Sequence, residues 1–340
     1  MTTKYGLCKK IDDERILEIL ESNPIGGQIQ LVYTHRPSYH RAIDDIGKKK
    51  KILGAWQDNT LAGFITSVSQ ERYLNGEPTA VRYLAHLRVD KDHRGKGIVR
   101  DGCKMFKDAI REECIMIAAV VKGTPLNRMS RTQPDSAYST FMPLFDIETR
   151  LLAAKNRKKK PSEEARFATE KEKKEIAEFI SAQGKKKDFF PSGNLPDGRW
   201  VVSRREGRIR GVCIIGDQPT KQIWINDYKM PFAMMRMWFN IKSSITGHNK
   251  FPMKGQEIQA VYISRITIDN DDPKILNGIL DFAKSNADKP FLIAGFDARD
   301  PLIKALRKHH GISYHSTLYQ FGWGISPLRI GLAYPEVAQL

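Results

Sequence analysis

A chain of 340 residues is long enough for two domains of ordinary size, and its 41% apolar and 9% aromatic residues can fill their cores, which excludes a disordered polymer. No stretch approaches the roughly 18 uninterrupted apolar residues of a membrane span, and MTTKYGLCKK carries no apolar signal segment, so the expectation is a cytoplasmic protein with no membrane. The formal charge of +17 is spread along the chain; it admits a polyanionic partner without naming one.

Residues 11–20, IDDERILEIL, set acidic positions ahead of apolar ones at helical spacing. ILGAWQDNTLAGFITSV (52–68) places two β-rich runs around Asp58-Asn59, the signature of a tight hairpin. AVRYLAHLRVDKD (80–92) reads as a buried strand that runs into HRGKGIVRDG (93–102) and a helix. CIMIAAVVKGTPLNRM (114–129) reads as a further buried strand. AAKNRKKKPSEEA (153–165) has dense charge, no apolar period and Pro161, as a linker does, so the division is 1–152, linker 153–165, and 166–340.

Beyond the linker the pattern returns. Ile16, Glu18, Ile19 and Leu20 fall on Ile176, Glu178, Phe179 and Ile180, an offset of 160; WVVSRREGRIRGVCII (200–215) repeats the hairpin, with Glu206-Gly207 at the turn and Gly211 for Gly63. Val89-Asp90 falls on Ile268-Asp269 at an offset of 179, and Pro125 on Pro301 at 176. Each copy therefore reads as helix, hairpin, long strand, helix, strand, helix, a mixed α/β unit with an antiparallel start and a parallel crossover pair. The second copy lacks three residues where the first has HRGKGIVRDG, and carries an insertion, 217–258, whose PFAMMRMWFNIK run reads as core or interdomain contact, or as the lining for an apolar part of a substrate.

A strand that ends in a glycine-containing turn before a helix presents main-chain N–H groups at the helix start, where the dipole favours an anion. Arg94, Gly95, Lys96, Gly97, Ile98 and Val99 follow that plan, with basic side chains at 94, 96 and 100 adding mobile charge; a diphosphate is the natural guest. The spacing is neither that of a Walker loop nor that of a dinucleotide fingerprint.

LRVDKDHRGKGIV, preceded by the hairpin and followed by helix, strand and Pro-x-Asn, resembles motif A of the GNAT N-acetyltransferase superfamily, whose Arg/Gln-x-x-Gly-x-Gly/Ala loop falls on Arg94, Gly97 and Val99, the last a departure from the usual small residue. The repeat extends the resemblance weakly over the second half, so the fold class expected is α/β (α+β), two tandem GNAT-like domains, each with a mostly antiparallel mixed sheet flanked by helices. The resemblance implies transfer of an acyl group from acetyl-CoA or another acyl-CoA to an amine-bearing acceptor. It implies that Leu87 and Val89, with Arg88 between them, offer main-chain groups to the pantetheine arm, that residues 95–99 with Arg94 and Arg100 hold the diphosphate, and that Asn127 contacts the arm. The second copy has Asp269, Asp271 and Asp272 where phosphate would sit, carboxylates that would repel it.

For the base, the long strand offers His86, placed by strict alternation on one face with Arg82, Leu84 and Arg88; for the acid, Tyr138 lies beyond the second crossover strand. Each also reads as a packed residue. Cys8, Cys103, Cys114 and Cys213 form no CxxC pair and His309, His310 and His315 have no carboxylate or Cys at ligand spacing, so no metal is expected, and the histidine pair reads as a surface helix end closed by Gly311. Two other readings stand beside acyl transfer: a nucleic-acid or ribonucleoprotein binding module, motivated by the charge, and an aminoacyl-tRNA-dependent transferase, against which the intact RGKG loop argues.

Overall fold

The computed structural model describes residues 2–27, 29–110, 114–124, 140–155, 165–218 and 220–340. The first half runs β1 (Thr3–Leu7), α1 (Asp13–Glu21), β2 (Ile29–Thr34), a one-turn α2 (Tyr39–Ala42), β3 (Lys48–Gln57), β4 (Thr60–Leu74), β5 (Glu77–Val89), α3 (Ile98–Ile110), β6 (Ile115–Val121) and β7 (Thr140–Ala153). The second runs β8 (Arg166–Phe167), α4 (Lys173–Gly184), β9 (Arg199–Arg205), β10 (Arg208–Gly216), β11 (Gln222–Tyr228), α5 (Met230–Thr246), β12 (Ala260–Ile268), α6 (Pro273–Asn286), β13 (Phe291–Asp297), α7 (Ile303–Lys308) and β14 (Gly311–Gly322).

Both hairpins turn where the sequence signals them. Asp58 and Asn59 have φ of 48° and 63°, and Glu206 and Gly207 of 54° and 75°, the left-handed pair whose twist matches that of the flanking strands. The repeat is equally visible in the ladders. Three parallel pairs join β5 to β6, Val81↔Ile115 to Tyr83↔Ile117, and three join β12 to β13, Ala260↔Phe291 to Tyr262↔Ile293, the same positions at offsets of 179 and 176.

Twelve strands form one sheet in the order β1-β3-β4-β5-β6-β14-β7-β13-β12-β10-β9-β8, which reads alike from either end and centres on the β14–β7 pair. The last strand of each repeat has crossed over: β14 lies against β6, while β7 lies against β13. The mixed, mostly antiparallel sheet of two GNAT-like repeats is thus a single surface. A second, two-stranded sheet pairs β2 with β11, so the insertion after β10 reaches back onto the first repeat.

Ile16, Leu17, Ile19 and Leu20 of α1 are buried at the spacing of one helix face, as are Ile176 and Ile180 of α4; each such side chain contributes roughly 1.5–3 kcal/mol. On the other repeat's flank, a Cβ at Gly211 would lie 2.5 Å from Ile275 Cγ2, so the glycine is what lets α6 settle on β10.

Candidate functional site

The strand end before the basic loop is fixed from several sides. The Asp90 amide donates to Ala62 O at 2.8 Å, its carboxylate accepts from the Asp92 amide at 3.1 Å, and Arg15 of α1 forms an ion pair with it. After a 3-10 turn at Lys91–His93, Gly95 and Gly97 take φ of 78° and 76°, the left-handed region that side chains resist. Ile98 then opens α3, buried with Ala55 and Ala62, and its carbonyl accepts from Tyr5 Oη at 3.1 Å. The Asp101 amide reaches back to Gly97 O at 2.9 Å, so the N–H groups of Ile98 and Val99 precede that intrahelical bond at the helix start.

The expected mobile charge is smaller than the sequence promised. Arg94 donates through Nε to Val89 O at 3.3 Å and through its other end to Asn23, and Arg100 pairs with Asp101 at 2.9 Å. Lys96 is exposed. Arg88 donates to Leu87 O at 2.8 Å, so both strand carbonyls singled out for a ligand arm already accept from a guanidinium, each with a second lone pair left.

Beside this loop the sheet opens. The parallel ladder from β5 to β6 stops at Tyr83↔Ile117, and residues 84–89 continue without β6. On the other edge the register slips between Phe64↔Arg88 and Thr66↔Ala85, so that His86 and Leu87 together face Ile65, with His86 at φ 55°. This bulge breaks the strict alternation expected of the strand. Leu84 packs with Phe106 and Met116, whereas His86 turns to the opposite side, toward Tyr39, which shares a cluster with Tyr83 and Ala85.

There the Tyr39 hydroxyl lies 2.8 Å from His86 Nδ1 and 2.6 Å from Thr66 Oγ1, and the His35 ring centroid is 4.9 Å from that of His86. His35 Nδ1 donates to the carbonyl of Thr220, in the insertion, at 2.9 Å; its Nε2 has no hydrogen-bond partner among the described residues. Burial pushes His86 well below the ordinary histidine range, with His35, Arg88 and Lys221 adding to it, and burial with Lys221 holds His35 at about 4. Lys221 itself is lowered to about 8 by burial, while its Nζ donates to Leu340 O at 2.8 Å. Two neutral imidazoles therefore face each other beside the bulge. The sequence reading found His86 but missed His35 and Tyr39, whose only signal is the polar run THRPSYH ahead of the hairpin, and Thr66, which lies in the hairpin's second strand.

Residues 14–128 match the model of the acetyltransferase (GNAT) family. The first repeat carries a GNAT domain. A search of curated protein sequences finds no match. In architecture the chain is similar to Saccharomyces cerevisiae N-myristoyltransferase with bound myristoyl-CoA: one crystal structure gives a TM-score of 0.59 at 11% identity over 100% of this chain and 83% of that one, and another 0.58 at 12% identity over 97% and 86%. At such identities the likeness is one of fold, the tandem GNAT-like arrangement.

The second GNAT-like repeat keeps the bulge and closes the site. Between Val212↔Thr267 and Ile214↔Ser264 the register slips again, with Arg265 at φ 52° in the place of His86. The Arg265 amide donates to Glu336 Oε2 at 3.0 Å and the Ile266 amide to Tyr334 Oη at 2.9 Å, so side chains of the C-terminal segment fill the bulge. Only residues 269–272 separate β12 from α6, where 90–97 separate β5 from α3. The carboxylates expected to repel phosphate are instead engaged: Asp269 with Arg210 at 2.5 Å, Asp271 with Lys187 at 2.7 Å, and Asp272 as the cap of α6, accepting from the Lys274 amide at 2.8 Å. A cavity of about 190 Å³ remains beside them, lined by Gln183, Lys187, Ile266 and Asp271 among others.

Asn127 and Tyr138, named as arm contact and acid, lie outside the described residues, as do 156–164 of the linker. His309 is buried rather than on a surface helix end: its Nε2 meets Asn277 Oδ1 at 2.9 Å, and His310 stacks on Phe239 at 4.0 Å, because α7 ends at Lys308 against α5 and α6. Among the described residues, no group of three or more His, Cys, Asp and Glu gathers as metal ligands would, and no helix is long and apolar enough to cross a membrane.

Proposed function

We propose that the protein is an N-acyltransferase that moves an acyl group, acetyl in the simplest case, from acyl-CoA to an amine by direct attack on the thioester, with one acyl-CoA site, in residues 1–152, and a second domain, 166–340, that lacks the diphosphate loop. One observation carries this reading: the left-handed Gly95 and Gly97 lead into the N–H groups of Ile98 and Val99 at the start of α3, beside a sheet that has come apart after Tyr83, while the matching place in the second repeat is shut.

The residues present suit an acyl-CoA. The N–H groups of Ile98 and Val99 and the Lys96 ammonium suit its diphosphate, and the opened edge of β5 at Leu87 and Val89 suits the pantetheine arm. Acyl-CoA would supply the activated carbonyl. What the protein then adds is orientation, exclusion of water and the handling of one proton.

His86 suits the proton step in one tautomer. With Nδ1–H donated to the Tyr39 oxygen, and Tyr39 donating in turn to Thr66, Nε2 keeps its lone pair for the incoming ammonium or amine proton. Tyr39 and Thr66 are then positioning residues. Burial keeps the ring neutral, which a proton acceptor requires. Titration calorimetry with acetyl-CoA and longer acyl-CoAs, together with release of free CoA thiol on addition of amines, tests the reading; no saturable binding of any acyl-CoA would overturn it.

A further inference from the structure

Helix α5 is apolar on two opposite faces. Phe232, Phe239 and Ser243 hold one face down, Phe239 stacked on His310 and Phe232 stacked on Tyr228 with ring centroids 5.6 Å apart. The opposite face, which in a surface helix is polar, presents Met230, Met234, Met237, Trp238, Ile241 and Ile245, with exposures of 75% at Met230, 65% at Trp238 and 80% at Ile245. A helix that is apolar all round belongs inside a core or against an apolar phase, and an exposed patch of this kind marks a docking surface.

The charge around the patch says what it docks to. From Tyr228 to Gln256 there is no acidic residue, whereas Lys229, Arg236, Lys242, Lys250 and Lys254 are basic, within a chain of net charge +17. Lys229, Lys242, Lys250 and Lys254 are all exposed, and Lys254 alone of them has an ion-pair partner among the described residues, Asp227 at 3.2 Å. A second copy of the chain would set these cations against their like. A nucleic acid would meet the cations and leave the methionines and the tryptophan in water. An anionic lipid surface meets both, since it offers headgroup charge to the lysines and an acyl layer to the side chains between them.

We propose that α5 docks the protein on the surface of an anionic lipid bilayer, lying in its plane with Met230, Met234, Trp238, Ile241 and Ile245 toward the acyl chains. Such a helix rests on the bilayer and does not cross it; the proposal therefore departs from the expectation of no membrane, which rests on the lack of an apolar span. The insertion that carries α5 also supplies β11 and Thr220 to the cleft beside His86, which would hold that cleft near the bilayer.

The test is co-sedimentation of the full chain with phosphatidylcholine vesicles that contain or lack phosphatidylglycerol, with tryptophan emission recorded against brominated lipid. Saturable binding to the anionic vesicles is expected, with quenched emission, and at least about a tenfold loss both in the double variant Met234→Glu, Trp238→Glu and in the triple variant Lys229→Glu, Lys242→Glu, Lys250→Glu, with unchanged circular dichroism. Gly97→Glu should bind vesicles as the parent does, which separates this proposal from the acyl-CoA reading. No binding, equal binding to both kinds of vesicle, or a dimer in sedimentation velocity that Trp238→Glu dissociates would overturn it.

Discussion

The two repeats share a backbone and differ in what fills it. Each has a helix led in by a 3-10 turn, a hairpin with two left-handed residues, a bulge on the long strand, and a parallel ladder of three pairs that ends at a tyrosine, Tyr83 or Tyr262. In the first the opening beside the bulge leads to a glycine loop and a helix start. In the second the same opening receives Glu336 and Tyr334, and its shortened loop is bolted by Lys187 and Arg210. A bulge and a parted sheet thus belong to the fold. The two openings differ at residues 90–97 and 331–340: the second is filled through hydrogen bonds from the Arg265 and Ile266 amides, and the first leads to the glycine loop.

That contrast can be broken most forcefully at the loop. Gly97→Glu puts a strained left-handed residue and a carboxylate at the helix start, and should weaken acyl-CoA binding at least about a hundredfold by calorimetry, while Asp271→Gly in the second repeat should leave it within about twofold. Equal losses from both would end the distinction. Glu336→Ala strips the Arg265 amide of its partner and leaves the buried Arg72 and Arg265 guanidiniums uncompensated, so urea denaturation should show a loss of about 3 kcal/mol with acyl-CoA affinity retained. His86→Ala should lower kcat about a hundredfold with little change in the acyl-CoA KM, whereas Arg265→Ala should reduce stability and leave the turnover of folded enzyme alone.

Acid offers a subtler probe. His35 is held at about 4 against an ordinary 6.5, so the folded protein binds fewer protons than the unfolded chain in that window. Its contribution is intact above about pH 6.5 and is lost as the pH falls toward about 4, by at most about 1.4 kcal/mol per pH unit; urea midpoints in His35→Asn should therefore fall less steeply with acid than those of the parent. Tyr334→Phe removes one hydrogen bond to the Ile266 amide and should cost about 1 kcal/mol, the smallest of these effects.

Much of the frame was legible because it rests on local chemistry. Asp58-Asn59 and Glu206-Gly207 tolerate left-handed φ, and the offsets of 160, 179 and 176 that align the two halves are those of the helix starts and ladder registers. The loop at Arg94–Val99 announced itself by two glycines before a helix. The bulge did not, since His86 and Arg265 are not residues that mark one, and alternation consequently put His86 on the wrong side of the strand. His35, Tyr39 and Thr66 converge on it from three elements by tertiary packing alone. The methionine run reads as core, interdomain contact or substrate lining because apolar composition says how much surface seeks cover; it does not say whether this chain provides the cover.

The crossing of β7 and β14 has a consequence for how the molecule can come into being. Neither half contains the strand that shields its own crossover strand: cut after Ala153, the N-terminal part would keep β7 without β13 and leave the edge of β6 bare, an apolar template for pairing with strangers. Each half therefore completes the other's sheet, and the glycine loop, though encoded wholly in the first repeat, sits in a finished sheet only when β14 of the second pairs with β6.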